Sequence, residues 1–304
     1  GRATMTQTAD GPAGFANCLK LECTTADTSI AATEYFILRQ SFEGQDLQQF
    51  KKGTSSAEKI TVSFYVKGNA AATYTCELDD ADNTRHNSQE FSVTTDWTRV
   101  ILTFDGDTTG AFDDDNARSL NLDFWLHAGS NYTGGTHTDN VWHTTTNQRV
   151  GDNQTSFFDS TARTFFITGI QMEVGDTATD FEHRSYGDEL NRCRRYYNQV
   201  LKGAWGVASA AGSPVFHFFN TVEMRTAPSF SLTVNKVAMG DMISTGFNLD
   251  GASIAAGTHN TSQVSVWTFT ASSFSSTMTN YRPLLLESIS GGSFNGEVQI
   301  SAEL

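Results

Sequence analysis

ITGIQMEVGDTATDFEHRSYGDELNRCRRYY, running from Ile167 to Tyr197, is the stretch that decides how the chain is organised. Phe165, Ile167, Ile170, Met172 and Val174 are strand-forming residues at its start, and Gly175-Asp176 breaks that strand. Ser185-Tyr186-Gly187-Asp188 then has the spacing of an N-terminal capping box. In that motif the serine hydroxyl accepts an amide hydrogen that the first helical turn leaves unpaired, and the acid reaches back. Leu190, Cys193, Tyr197 and Val200 recur at helical intervals, which predicts one short amphipathic helix within residues 185–200. The stretch is therefore a last buried strand, a turn, a capped helix and a fresh start.

Working outward, the residues before this junction alternate strand candidates with turn clusters. The candidates are residues 3–8, 18–23, 35–41, 60–67, 73–79, 89–93, 98–104, 121–127 and 164–174. No pattern of helical length interrupts them before Gly187. Many short strands without crossover helices predict an antiparallel β-sandwich, of which the jelly roll is a common form. Trp97 to Phe104 shows the period of two, with Val100, Leu102 and Phe104 on one face. After the junction, strands are expected at residues 215–222, 230–237, 263–270, 281–288 and 297–302, separated by Gly, Ser and Thr. The expected organisation is a jelly roll over 1–184, a linking helix over 185–200, and a smaller β-rich domain over 201–304. A module of about a hundred residues so rich in Ser and Thr has a modest core, and oligomerisation adds the buried area it lacks.

Composition narrows the function classes. The 304 residues carry a formal net charge of −14, which argues against nucleic-acid binding because phosphate contacts need a basic surface. It also disfavours adhesion to anionic membranes. The charge is uneven: residues 201–304 hold four Lys/Arg against six Asp/Glu, a net of −2, so −12 lies in residues 1–200. Such a step near residue 200 supports a boundary there. No window approaches the roughly twenty apolar residues of a membrane span, and the start lacks the apolar core of a signal peptide. The chain opens without methionine and already strand-like at Ala3–Gln7, so further sequence is expected upstream. Cys18, Cys23, Cys76 and Cys193 match no zinc spacing and are expected as reduced, buried core or interface residues, suited to assembly in a reducing cytosol.

Two regions offer binding chemistry. Asp105 and Asp107 lie close in sequence to Asp113 and Asp115, and converging loop carboxylates suit calcium, which takes six to eight oxygens. An EF-hand spacing is absent, so a solvated acidic turn is the competing account, as it is for Asp79–Asn83. Gly129 to Asp159 is long and polar, a kind of loop that is often functional. Around it stand Trp125, His127, Tyr132, Trp142 and His143 with Asn131, Asp139 and Asn140. Loop aromatics can stack on sugar rings while amide and carboxylate groups bond the hydroxyls, which nominates Tyr132, Trp142, His143, Asn131 and Asp139 for a glycan. Trp125, within a strand-like run, is expected in the sandwich core. No nucleophile elbow, metalloprotease motif, Walker loop or dinucleotide fingerprint occurs, so no enzyme is expected.

The run Gln171-x-Glu173-x-Gly175-x-x-Ala178-Thr179-x-Phe181-Glu182-x-Arg184-Ser185-Tyr186-Gly187 resembles a junction found in virion proteins of tailed bacteriophages. There a carbohydrate-binding-module-like jelly roll ends and a short helix with Cys and paired Tyr follows. FEGQDLQQFKKGTSS from Phe42 and ITVSFYVKG from Ile60 resemble the opening of that domain. Asp96–Asn116 and Leu120–Gly135 resemble its middle, and Ile300–Leu304 resembles the end of such fibre chains. The sequence departs at Asp180, where the family often has proline. The resemblance implies a tail-fibre or host-recognition protein, assembled in the bacterial host cytoplasm and located in the virion. It implies a homo-oligomer, a trimer by analogy, that contacts other virion proteins and binds host surface polysaccharide through several weak sites at once. A head-decoration, capsid-fibre or neck component contacting only virion proteins is the alternative it leaves open.

Overall fold

The computed structural model describes the chain except residues 201–202, 209–213, 242–245, 272, 275–280 and 288–296. It divides into two compact units, Gly1–His183 and Arg184–Leu304.

The first unit contains β1 (Arg2–Thr8), β2 (Cys18–Thr25), β3 (Tyr35–Glu43), β4 (Ile60–Gly68), β5 (Ala72–Asp80), β6 (Arg85–Val93), β7 (Thr98–Phe104), β8 (Arg118–Ala128) and β9 (Thr164–Val174). A five-stranded sheet has the order β1-β2-β9-β4-β7 and a four-stranded sheet the order β3-β8-β5-β6, and every neighbouring pair is antiparallel. Except at the β1–β2 and β5–β6 hairpins, each connection carries the chain from one sheet to the other. This is an antiparallel jelly-roll sandwich.

The period of two makes the core. In β4, Ile60, Val62, Phe64 and Val66 point inward and are buried. Opposite them stand Tyr74, Cys76 and Leu78 of β5, Phe91 of β6, and Leu120, Leu122, Phe124 and Leu126 of β8. Phe64 meets the rings of Phe91 and Phe124 edge-on at 5.1 and 4.9 Å, a favoured aromatic geometry. Val100, Leu102 and Phe104 pack into the same core as the sequence period requires. At Gly169 the β4–β9 register shifts and φ is +60°, and a Cβ there would lie 2.7 Å from the Phe15 ring. Only glycine fits that bulge.

The two open sides of the sandwich are finished differently. On one, β6 lies beside β7, with Gln89 Nε2 donating to the Thr103 carbonyl at 3.0 Å. The long loop is laid along β6 there: His86 and His143 exchange backbone bonds at 2.8 and 2.9 Å, and the Asn140 amide bonds the Ser88 carbonyl at 3.0 Å. On the other, β1 and β3 have no strand partner besides β2 and β8 among the described residues. The loop also contains a one-turn helix at Ser130–Thr133, which the polar sequence did not signal.

The second unit opens with a helix at Tyr186–Arg194, where Ser185 Oγ accepts from the Asp188 amide at 3.2 Å and donates to Asp188 Oδ2 at 2.6 Å. The helix is shorter than the 185–200 expected. Tyr197 and Val200, read as its apolar positions, belong instead to β10 (Tyr197–Val200). Aromatic and β-branched residues favour strands, and pairing with the chain end overrides the helical spacing. Further strands are β11 (Trp205–Ala208), β12 (Pro214–Phe219), β13 (Ser229–Leu232), β14 (Lys236–Gly240), β15 (Gly246–Asp250), β16 (Ser253–Ala256), β17 (Val264–Thr270), β18 (Ser273–Phe274), β19 (Pro283–Glu287) and β20 (Val298–Ser301). They form a sheet of order β10-β20-β13 and another of order β16-β17-β12-β11-β19-β14-β15-β18. Phe216, Trp267, Phe269, Val298 and Ile300 are among its buried core residues. Ser288, the last residue expected in the β19 region, lies outside the described residues. Cys18, Cys23 and Cys76 are free and buried, but Cys193 is exposed on the helix, contrary to its expected burial.

Candidate functional site

The four-stranded sheet buries one face in the core and turns the other toward the long loop. On β8 the alternation sends Asn121, Asp123 and Trp125 to that outer face. Arg39 on β3 and Glu77 on β5 lie directly across from Asp123, and Asp79 lies across from Asn121. Two carboxylates opposite one another repel, so both need cations. Arg39 grips Asp123 with two bonds, Nε to Oδ1 at 2.7 Å and Nη2 to Oδ2 at 2.6 Å. Arg149, contributed by the loop, grips Glu77 in the same bidentate way at 2.8 and 2.8 Å. Paired forks of this kind are among the strongest charge-assisted contacts. Asp79 ties the pairs together, 3.4 Å from Arg39, 3.3 Å from Arg149, 3.0 Å from Asn121 Nδ2 and 2.9 Å from His86 Nδ1.

The electrostatics separate these acids. Burial pushes the Asp123 carboxyl up to about 6, with Glu77 and Asp79 adding to the rise that the Arg39 fork opposes. Burial acts on Asp79 in the same direction, yet bonds from His86 and Asn121 and the Arg149 charge hold it well below the usual carboxylate range. His143 is pushed down by burial and, after it, by charge in its surroundings, including Arg149 and Arg85, and its Nδ1 accepts from the Thr145 amide at 3.1 Å.

An aromatic group adjoins the ionic one. Trp125 is buried, its indole N–H donating to Glu77 Oε2 at 2.7 Å, and the Arg149 guanidinium lies 5.1 Å from its ring centre. Tyr132 packs on Trp125 at 5.0 Å and meets Tyr35 edge-on at 5.6 Å. Trp125 is thus buried as expected, but on the outer face rather than in the sandwich core. Tyr35 remains 59% exposed and the Arg39 side chain 37% exposed. The face therefore offers a ring edge beside a fixed array of donors and acceptors.

Of the residues expected to bind a glycan, only Tyr132 joins this group. Trp142 is half-buried, its N–H bonded to the Asp105 carbonyl at 2.6 Å and its ring 5.2 Å from Lys52 Nζ. His143 lies against His86, ring centres 5.9 Å apart. Asp139 accepts from the Glu90 amide at 3.1 Å, and Asn131 is exposed on the one-turn helix. Three of the four acids considered for calcium have separate partners for their carboxylates, and for Asp113 the bond is one from its backbone amide. Asp105 pairs with Lys59 at 3.1 Å, and Asp107 is held by Arg85 at 2.5 Å and Lys52 at 3.2 Å. Asp115 Oδ1 accepts from the Ala117 amide at 2.8 Å, and the Asp113 amide bonds Asp82 Oδ2 at 3.0 Å. Among the described residues no group of three or more His, Cys, Asp or Glu is placed to hold a metal ion. Tyr35, Arg39, Glu77, Asp123 and Arg149 carry no binding expectation from sequence, and Asp79, read there as part of a solvated acidic turn, lies instead in β5. Their signal was available in β8, where Asn121, Asp123 and His127 interrupt an apolar strand at every second position.

No protein-family model and no curated protein matches the chain. Solved structures do match, each over part of the chain. The family 11 carbohydrate-binding module of Clostridium thermocellum, in complex with a β-1,3-1,4-mixed-linked tetrasaccharide, is 13% identical with a TM-score of 0.30, covering 60% of this chain and 85% of its own. The C-terminal family 22 module of Xyn10B from the same organism is 11% identical with a TM-score of 0.33, covering 59% and 86%. The CBM22-1 xylan-binding domain of Paenibacillus barcinonensis Xyn10C is 15% identical with a TM-score of 0.30, covering 59% and 85%. Likenesses of this strength carry no argument about ligand, and the fold assignment above stands on sheet order and register.

Proposed function

We propose that this chain is a tail-fibre-type virion protein of a tailed bacteriophage, whose first unit binds a host surface glycan without catalysis. The observation that carries the binding is the outer face of the four-stranded sheet, where exposed Tyr35 and half-buried Tyr132 stand beside the Arg39–Asp123 and Arg149–Glu77 forks. A sugar presents an apolar ring face and a rim of hydroxyls, so it needs a flat aromatic surface and donors and acceptors already fixed in place. Tyr35, Arg39, Glu77 and Asp123 are held by strands, and the long loop adds Tyr132 and Arg149. The virion assignment rests on the resemblance of residues 171–187. A symmetric trimer would multiply weak sites into firm attachment. The test is affinity electrophoresis in gels containing purified host surface polysaccharide, together with antibody imaging of intact particles. Retardation of the protein and decoration of the fibres support the reading; free migration in every polysaccharide tried overturns it.

A second reading, a virion component that contacts only other virion proteins, is favoured by the second unit. Trp205, Phe219 and Tyr281 are exposed by 55%, 77% and 80%. That unit also holds eight Lys/Arg and eight Asp/Glu, so no net charge opposes packing against a neighbour.

A further inference from the structure

We infer that the side of the sandwich between β1 and β3 is a docking cleft for an extended, uncharged strand of another polypeptide. A cleft of about 620 Å3 opens there, bounded by residues 1–5 of one sheet and 34–38 of the other. Its size lies within the range of about 300–1,000 Å3 found for built ligand sites. Leu21, Leu38 and Phe158 give it apolar lining, Arg2, Glu34 and His127 also border it, and Met5 and Tyr35 line it while 63% and 59% exposed.

Backbone chemistry selects the occupant. Because, among the described residues, β1 pairs only with β2 and β3 only with β8, every second residue of each strand turns its N–H and C=O away from the sheet. Groups repeating at roughly 6.8 Å, two residues of strand rise, are matched in series by another extended backbone. Proteins usually blunt such an edge with lysine, proline or a covering loop. The β6 edge of this unit is covered by the loop segment around Asn140–His143. By contrast β1 reads RATMTQT, with no lysine, no proline and its one charge at the first residue. Charge argues against a second copy as occupant, since the first unit holds 12 Lys/Arg and 26 Asp/Glu and two such units repel. An incoming strand with an apolar side chain at alternate positions would extend the sheet at β1 and fill the cleft.

The probe is the peptide acetyl-Thr-Val-Thr-Val-Thr-Val-Thr-amide, added to the whole protein and followed by hydrogen exchange. The expected result is at least tenfold slower exchange at amides of Ala3–Met5, lost when the central valine of the peptide is replaced by proline. Met5→Lys should weaken binding at least tenfold and Met5→Leu should preserve it, with thermal unfolding confirming that both variants fold. Equal binding of the proline peptide would overturn strand pairing. Protection of the same amides without peptide, in step with self-association in the centrifuge, would assign the cleft to a second copy and overturn the inference. Absence of protection anywhere along β1 or β3 would overturn it as well.

Discussion

At the scale of single residues, the outer sheet face depends on two arginines that each neutralise a carboxylate buried opposite another. Removing one member of a buried pair leaves the other charge unsolvated, at a cost of about 3–5 kcal/mol. Arg149→Ala is therefore expected to destabilise β5 and β8 by that amount, read as faster hydrogen exchange of their amides. Lys51→Ala, which breaks the exposed Lys51–Glu58 pair of 2.6 Å, should change stability by less than about 1 kcal/mol. The acids should also titrate apart. Asp123, raised to about 6 by burial, contributes stability that is full below its unfolded pKa of about 3.9 and is lost as pH rises through 6. Asp79, depressed by His86, Asn121 and Arg149, contributes the opposite way, with stability present above about 3.9 and lost as pH falls further. Carboxyl-carbon NMR should find the Asp123 midpoint about two units above the ordinary aspartate value of about 3.9, with Asp79 ionised throughout that rise. Coincident midpoints would contradict this arrangement.

At the scale of elements, strand positions in the first unit were legible because each strand keeps a period of two between turn clusters. The capping box at Ser185 was equally plain. Ser185→Ala should cost the helix about 0.5–2 kcal/mol, seen as faster exchange of its first-turn amides. What the sequence concealed was where that helix stops: Tyr197 and Val200 satisfy a helical spacing and a strand equally well, and only their pairing with Val298–Ser301 decides. The candidate face was hidden for a related reason. Its members come from β3, β5, β8 and the loop, as far apart as Arg39 and Arg149, so no local motif could announce them. Tyr132 stands in the loop, where an aromatic invites a binding role, whereas its neighbour Tyr35 sits on a strand, where an aromatic reads as core. Trp142 shows the converse, an aromatic in a loop whose ring and N–H are already engaged by Lys52 and Asp105. Cys193 fits the same pattern, since a helix only nine residues long leaves little of its surface covered. It should be the one thiol that reacts promptly with Ellman's reagent in the native protein. Cys76, buried and with its pKa raised by that burial, should react only on unfolding.

At the scale of the whole molecule, the charge is partitioned: the entire −14 resides in the first unit and the second is balanced. A strongly acidic first unit that repels its copies and a neutral second unit with exposed aromatics would suit the proposed assembly if it were joined through the latter. The proposed glycan site is the outer face of the four-stranded sheet. Chemical-shift mapping of labelled protein with a bound host polysaccharide tests it most directly. The account predicts that the largest shifts fall on Tyr35, Arg39, Asp79 and Tyr132 and vanish in the Tyr35→Ala, Arg39→Ala double variant. Shifts confined to the Asp139–His143 segment or to the second unit, or unchanged binding by that variant, would contradict it.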